Sequence, residues 1–302
     1  MPPVRGVASV SRPRAWILAA RPKTLSAAAA PVFVGTGLAA AHGTFRLGPA
    51  MAALVGALLI QVATNLANDY YDFVRGGDTE ARVGPTRVTQ AGLFPPRQVR
   101  WAMIVTLFMA LLVGVYLVIV GGWPIVCIGL ASLVCAVAYT GGPYPLAYHG
   151  LGDLFVFVFF GLVAVGGTYW VQALTLPADA LVAGIGVGAL NTAILVANNV
   201  RDLETDAAAG KRTLAVRLGR FGSRIEYALL MAVGFSVPVL GVVVCGWPAA
   251  VLVTLSAGVA AMTPFTLVMT MDEARELIPA LPGTARVVAL YGALLGLSLA
   301  LA

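Results

Sequence analysis

Charge is what this sequence most lacks. Only 11% of its 302 residues are Asp, Glu, Lys or Arg, and 60% are hydrophobic. A soluble domain carries about a quarter charged residues, so this chain cannot clothe itself in a polar surface, and its solvent is largely lipid. Histidine is nearly missing, with His42 and His149 alone, and cysteine is limited to Cys127, Cys135 and Cys245. The three thiols fall inside apolar runs at spacings that match no metal motif, so they read as buried structural thiols. The residue-by-residue alternation of a membrane barrel is also missing. The apolar runs are instead continuous and rich in Ala, Leu, Val and Gly, and backbone held in lipid in such runs must be helical. The net charge of +6 does not point to nucleic acid, because positive charge on a membrane protein marks topology. No small-residue cleavage site follows the basic start Met1–Arg14, so no removable signal peptide is expected.

What is present is a series of nine apolar runs, at roughly 22–41, 47–71, 99–120, 123–140, 151–173, 180–199, 225–246, 248–270 and 284–302. Each is about the length that crosses a bilayer as a helix. Short turns such as Gly121-Gly122-Trp123-Pro124 and Gly246-Trp247-Pro248 separate some of them. The predicted fold class is all-α and integral to the membrane. It is a single bundle of about nine transmembrane helices around a cytoplasm-facing polar cavity, in one domain over residues 1–302. Nine spans put 1–23, 72–100, 141–150, 200–224 and 271–286 on one side. Those segments carry 18 of the 19 basic residues, and Arg46 alone lies opposite. The positive-inside rule then makes that side cytoplasmic.

Two acidic clusters end helices on this side. In the first, Asn65, Asn68, Asp69 and Asp72 recur at i, i+3, i+4 and i+7, one stripe of a helix. In the second, Asn198, Asp202 and Asp206 follow each other at intervals of four. The pattern Asn-x-x-x-Asp thus occurs at 68/72 and again at 198/202, a weak internal repeat suggesting two helix groups facing across a polar cavity. Charges that enter a membrane are costly, at about 2.5–3.5 kcal/mol each at mid-depth, and need a partner or a cavity. Carboxylate and amide oxygens suit a hard cation such as Mg²⁺. Basic residues follow both clusters, Arg82 and Arg87 after the first and Lys211 after the second, while Lys23 stands at the mouth of the first span. Acids for a metal beside Arg and Lys for anionic oxygens make a diphosphate site.

These segments resemble the UbiA superfamily of intramembrane aromatic prenyltransferases, and within it the menaquinone branch. The resemblance rests on RPKT (21–24), NLANDYYDFVRGGD (65–78), RVGPTR (82–87), YTGGPYPLAYHGLGDLFVFVFFG (139–161) and VANNVRDLETDAAAGKRTLAVRLG (196–219), within about residues 15–225. It implies that Asn68, Asp69, Asp72, Asp202 and Asp206 serve Mg²⁺ and a polyprenyl diphosphate. The broad superfamily pattern has a third acid where this chain has Gly76, and Asp78 follows instead. Asn65, Asp78, Tyr139, Tyr144, Asn198 and Asp153 are the candidates for the acceptor side of the pocket, with Tyr148 nearby. His149 reads as structural, and His42 falls on the opposite face.

The implied reaction joins a polyprenyl group to an aromatic acid. Ionisation of the allylic C–O bond is followed by attack of an electron-rich ring. For a 1,4-dihydroxy-2-naphthoate acceptor, CO₂ and diphosphate leave and demethylmenaquinone forms at its reduced, quinol level. Asp69 and Asp153 are candidates for a base at the ring hydroxyl. The implied location is the bacterial inner membrane, multi-pass, with the N-terminus and active site cytoplasmic and the isoprenoid tail among membrane lipids. Acceptors such as 4-hydroxybenzoate or homogentisate remain the nearest alternatives. A cation transporter is the non-enzymatic one, although it would place its acids nearer the bilayer midplane.

Overall fold

The computed structural model describes residues 10–77, 83–84 and 86–301. All regular structure among them is helical. A short helix, α1 (Arg12–Ala20), precedes α2 (Leu25–Ala41), α3 (Leu47–Val74), α4 (Pro96–Gly121) and α5 (Trp123–Ala138). Then come α6 (Gly152–Phe157) and α7 (Ala164–Ala173), joined through a π turn at Val158–Val163, and α8 (Ala178–Arg201). The short α9 (Leu203–Ala208) leads to α10 (Leu214–Cys245), α11 (Ala257–Thr270) with a 3₁₀ lead-in from Ala249, and α12 (Ala280–Ala300).

These helices fall where the nine apolar runs do. Among the described residues eight stretches are long and apolar enough to cross a membrane, with α1 and α2 counted as one and α6 with α7 as another. The remaining run, α5, has 16 residues, or about 24 Å at 1.5 Å per residue, shorter than a hydrocarbon core of about 30 Å. The sequence reading placed the seventh span at 225, but α10 begins at Leu214. Gly219 (φ 68°, ψ 177°) breaks its helical geometry, so the opening turns form a separate surface segment before the span proper. Helix α1 was not anticipated. Pro13 starts it, but only Ala15 and Ala19 are buried, too weak an apolar face to register as a periodic pattern. The cysteines depart from the buried reading, since Cys127 lies exposed on the outer surface of α5 and Cys135 and Cys245 are only half-buried.

In lipid no hydrophobic force draws helices together, so close backbone approach does the packing. Gly292 and Gly296 of α12, four residues apart, let that helix press on α2. A Cβ at Gly292 would collide with Ala30, and one at Gly296 with the Phe33 carbonyl. Gly188 plays the same part on α8, where a Cβ would lie 2.7 Å from the Phe157 carbonyl. The main buried cluster draws on α2, α7, α8, α10, α11 and α12. A second, smaller cluster joins α1, α3, the connection carrying Val88 and Phe94, and the start of α4. Trp16 of α1 stacks on Phe94 with ring centroids 4.1 Å apart.

At the end opposite the acidic motifs, His42 ties three helices together. Its Nδ1 lies 2.7 Å from the Tyr169 hydroxyl, and its Nε2 lies 3.2 Å from Asp179. A neutral ring carrying its proton on Nε2 satisfies both contacts. The Trp247 indole donates to the same Asp179 carboxylate at 3.4 Å.

Candidate functional site

A polar pocket of about 190 Å³ opens where α3 and α8 end, lined by Asn68, Asp72, Asn198, Asp202 and Asp206. The two acidic motifs, 130 residues apart, therefore meet at one cavity. Asp72 is the most heavily engaged of them. Arg87 Nη2 donates to its Oδ2 at 2.9 Å, and the Tyr148 hydroxyl donates to its Oδ1 at 2.8 Å. Lys211 Nζ lies 3.4 Å from Asp72 Oδ1 and 3.6 Å from Asp206 Oδ1, bridging the motifs. That ammonium also lies 5.0 Å above the Tyr148 ring, while the Arg75 guanidinium lies 5.6 Å from the same ring. Arg201, itself fully buried, grips Asp202 through Nε at 2.7 Å and Nη2 at 2.6 Å, and Asn198 Oδ1 at 2.7 Å.

Several side chains singled out from sequence stand elsewhere. Asp69 does not line the pocket. Its two oxygens accept the backbone N–H groups of Val88 and Thr89 at 2.9 and 3.0 Å, so it seats the connection that delivers Arg87. Asn65 lines the apolar chamber described below, yet its amide is committed to the Ala20 carbonyl at 2.9 Å and Thr24 at 3.2 Å, fastening α3 to the turn after α1. Lys23 is exposed, and Arg21 lines the pocket in its place. Arg21 holds φ 51° at the joint between α1 and the Pro22 turn. Tyr144 is exposed and stacks on His149 at 3.7 Å, outside the pocket. Asp153 is buried in the first turn of α6 and lines neither cavity. Arg82 and Asp78 lie outside the described residues.

Arg21 and Thr140 line the pocket, and the buried Arg201 grips two of its lining residues, Asp202 and Asn198, although the sequence reading passed over all three. Thr140 donates to Asn68 Oδ1 at 2.9 Å. The signal for Arg201 was present, since an Arg on the buried face beside Asp202 has no solvent to meet. Tyr139 lies just beyond the end of α5 and lines both cavities. Its hydroxyl end is buried against Gly152, where a Cβ would lie 3.0 Å away. Burial pushes the phenol above its ordinary value, and the charges of Asp153, Asp72 and Asp206 add to the shift.

The second cavity is a chamber of about 500 Å³ that runs from Asn68 and Tyr139 into the bundle between α3, α4, α5, α6 and α7. Its walls are almost entirely apolar. Phe155 and Phe159 lie on one side with near-parallel rings 6.0 Å apart.

No three acidic, histidine or cysteine side chains among the described residues converge tightly enough to hold a metal ion alone. The oxygen donors around the pocket nonetheless fit Mg²⁺, which typically takes one or two carboxylates and completes its shell with water and phosphate oxygens. The bridging ammonium of Lys211 shows that the space between Asp72 and Asp206 favours positive charge.

Fold and site together define a multi-pass helical membrane protein whose charged pocket opens into a long apolar chamber. Residues 28–280 match the UbiA prenyltransferase family, and the chain belongs to that family. A relative from Mycobacterium tuberculosis, named 1,4-dihydroxy-2-naphthoate octaprenyltransferase, is 40% identical over 269 residues, 89% of this chain and 91% of that one. An Escherichia coli protein of the same name is 40% identical over 228 residues, 74% of each chain. The solved structure of a UbiA homolog from Archaeoglobus fulgidus bound to DMAPP and Mg²⁺ superposes with a TM-score of 0.63 at 16% identity. That match covers 93% of this chain and 98% of the homolog.

Proposed function

We propose that this chain, working as one transmembrane unit, transfers a polyprenyl group from its diphosphate to 1,4-dihydroxy-2-naphthoate, releasing diphosphate and CO₂ in menaquinone biosynthesis. The observation that carries the reading is the junction of the two cavities at Asn68 and Tyr139. A charged pocket there faces one end of an apolar chamber, matching a ligand with a diphosphate head and a hydrocarbon tail. The naphthoate acceptor follows from the curated relatives of that name.

Arg21, Arg87 and Lys211 surround the head-group position with positive charge. They stabilise the electron pair that passes to the leaving diphosphate as the allylic C–O bond breaks. Asp72, Asp202 and Asp206, with Asn68, would hold Mg²⁺, which when bound adds Lewis-acid neutralisation of the same oxygens. The apolar walls keep water from the allylic carbon, and the Phe155 and Phe159 faces lie beside the tail. The acceptor ring bonds to that carbon through its carboxyl-bearing position. Loss of the carboxylate as CO₂ returns its bonding pair to the ring and restores aromaticity. Tyr139, kept neutral by its surroundings, serves the junction as a hydrogen-bond donor and not as the base.

A cytoplasmic pocket in the inner membrane of a bacterium is supported by the positive-inside rule, because the segments that the sequence assigns to that side carry eighteen of its nineteen basic residues. The test is to incubate membranes containing the protein with Mg²⁺, octaprenyl diphosphate and a panel of aromatic acids, and to weigh the products. Prenylated naphthol lacking the carboxyl carbon is expected. A product that keeps the carboxyl, or that forms only from 4-hydroxybenzoate or homogentisate, rejects the acceptor assignment.

A further inference from the structure

Glycine in a helix normally has a local reason. In this chain most described glycines have one of two. Some adopt positive φ at turns and caps, as at Gly43, Gly142 and Gly246. Others let another backbone approach, as at Gly35, where a Cβ would lie 2.6 Å from the Val165 carbonyl. Gly114 of α4 and Gly129 of α5 have neither. Both are helical, and a Cβ on either would meet nothing within 4 Å. No other described glycine combines ordinary helical geometry with such open space. Glycine costs helix stability relative to alanine, and here no packing contact offsets that cost.

Both residues line the apolar chamber. They also lie at similar depth. Gly129 is ten residues along α5 from Tyr139, about 15 Å at the helical rise. Gly114 stands beside Val113, which a Cβ on Gly56 would meet at 3.6 Å. Gly56 is twelve residues along α3 from Asn68, about 18 Å. The open space above Gly114 and Gly129 therefore belongs to the chamber's distal half, well beyond the head-group pocket.

We propose that Gly114 and Gly129 set the bore of the chamber at this depth and so determine which prenyl chain lengths the enzyme accepts. The proposal rests on the prenyl-donor reading above. A short tail ends before this level, whereas a long one must pass between α4 and α5 where the two glycines leave room. A Cβ at either position starts in open space on the chamber wall, so a larger side chain narrows the passage without a clash at its base.

The test uses the full-length protein in membranes or detergent with Mg²⁺ and 1,4-dihydroxy-2-naphthoate, comparing geranyl with octaprenyl diphosphate. Gly114→Leu and Gly129→Leu should each lower kcat/KM for the octaprenyl donor about tenfold or more relative to the geranyl donor, as steric discrimination in an apolar pocket allows. Gly258→Leu, at a helical glycine outside both cavities, should leave the ratio unchanged. Melting temperatures of all three variants should not fall below the wild-type value, since each exchange removes a helical glycine. Equal losses for both donors, or no loss for either, overturn the role of the glycines. A wild-type chain that turns over neither donor overturns the prenyl-donor reading itself.

Discussion

Replacing Asp69 with asparagine separates a structural role from a chemical one. The Asp69 carboxylate is almost wholly buried, at 1% exposure, and receives two backbone N–H groups from the connection between α3 and α4. An asparagine keeps one acceptor oxygen and turns an amide N–H₂ toward the other donor. One charge-assisted hydrogen bond is lost and one buried N–H is left unsatisfied, for a net cost of about 3 kcal/mol. That corresponds to a fall of roughly a hundredfold in the population with the connection seated. Arg87 travels with this connection, so Asp72 loses its partner whenever the segment lifts. Limited proteolysis should therefore cleave Asp69→Asn between residues 75 and 95 about a hundredfold faster than wild type, in the regime where opening is fast relative to cleavage. Saturating prenyl diphosphate should slow that cleavage, and KM for the donor should rise while kcat stays near wild type. A variant that resists protease like wild type yet has lost kcat refutes this reasoning and places Asp69 at the reacting atoms.

Three further outcomes follow from the same geometry. Lys211→Gln removes the ammonium between Asp72 and Asp206 and should raise KM for the prenyl diphosphate roughly thirtyfold, from about 2 kcal/mol of lost charge-assisted contact; an unchanged KM rejects its place at the head group. Asp202→Asn weakens the partner of the buried Arg201 guanidinium and should cost about 3 kcal/mol of stability, seen as a lower melting temperature. The double variant Arg201→Met/Asp202→Asn should recover the melting temperature but not turnover. Tyr139 is held above the ordinary tyrosine value of about 10, so it favours the folded protein below that pH and the preference fades as pH rises past it. Tyr139→Phe should therefore flatten the loss of stability in alkaline denaturation and leave the shape of the pH–rate profile between pH 6 and 9 unchanged. A basic limb that disappears in the variant contradicts a neutral phenol.

Hydropathy alone located nearly every spanning helix, because continuous apolar runs in lipid leave the backbone no other choice. The meeting of Asp72 with Asp202 and Asp206 was likewise legible, since matched polar stripes at helix ends on one side of the membrane have few places to go. What sequence spacing did not reveal is which way each side chain turns. Asp69 and Asp72 share a stripe by periodicity, yet one faces the pocket and the other a peptide segment about twenty residues on. Arg21, at φ 51°, breaks the helical period between α1 and the 3₁₀ turn Pro22–Thr24 that carries Lys23, and only Arg21 reaches the pocket. Tyr144 looked like a pocket residue because of its motif, but the turn built around Pro143 and Pro145 carries it outward onto His149. The partners of Asp202 and Asn198 depended on a single buried arginine whose neighbours are set by packing and not by local pattern.

The division of the interior into two apolar clusters has a consequence for how the molecule responds to ligand. Among the described residues, α3, α4 and α5 contribute nothing to the larger cluster. Asp72 and Arg87 belong to the side built around the smaller one, whereas Asp202, Asp206 and Lys211 belong to the other. A diphosphate held by both sets therefore acts as a rivet across a seam. Binding at a hundred times Kd adds about 2.7 kcal/mol to the folded state, and here that energy falls on the joint between two separately packed parts. On the proposed reading the donor substrate is a structural member as well as a reactant, and the protein should be at its most rigid when its pocket is full.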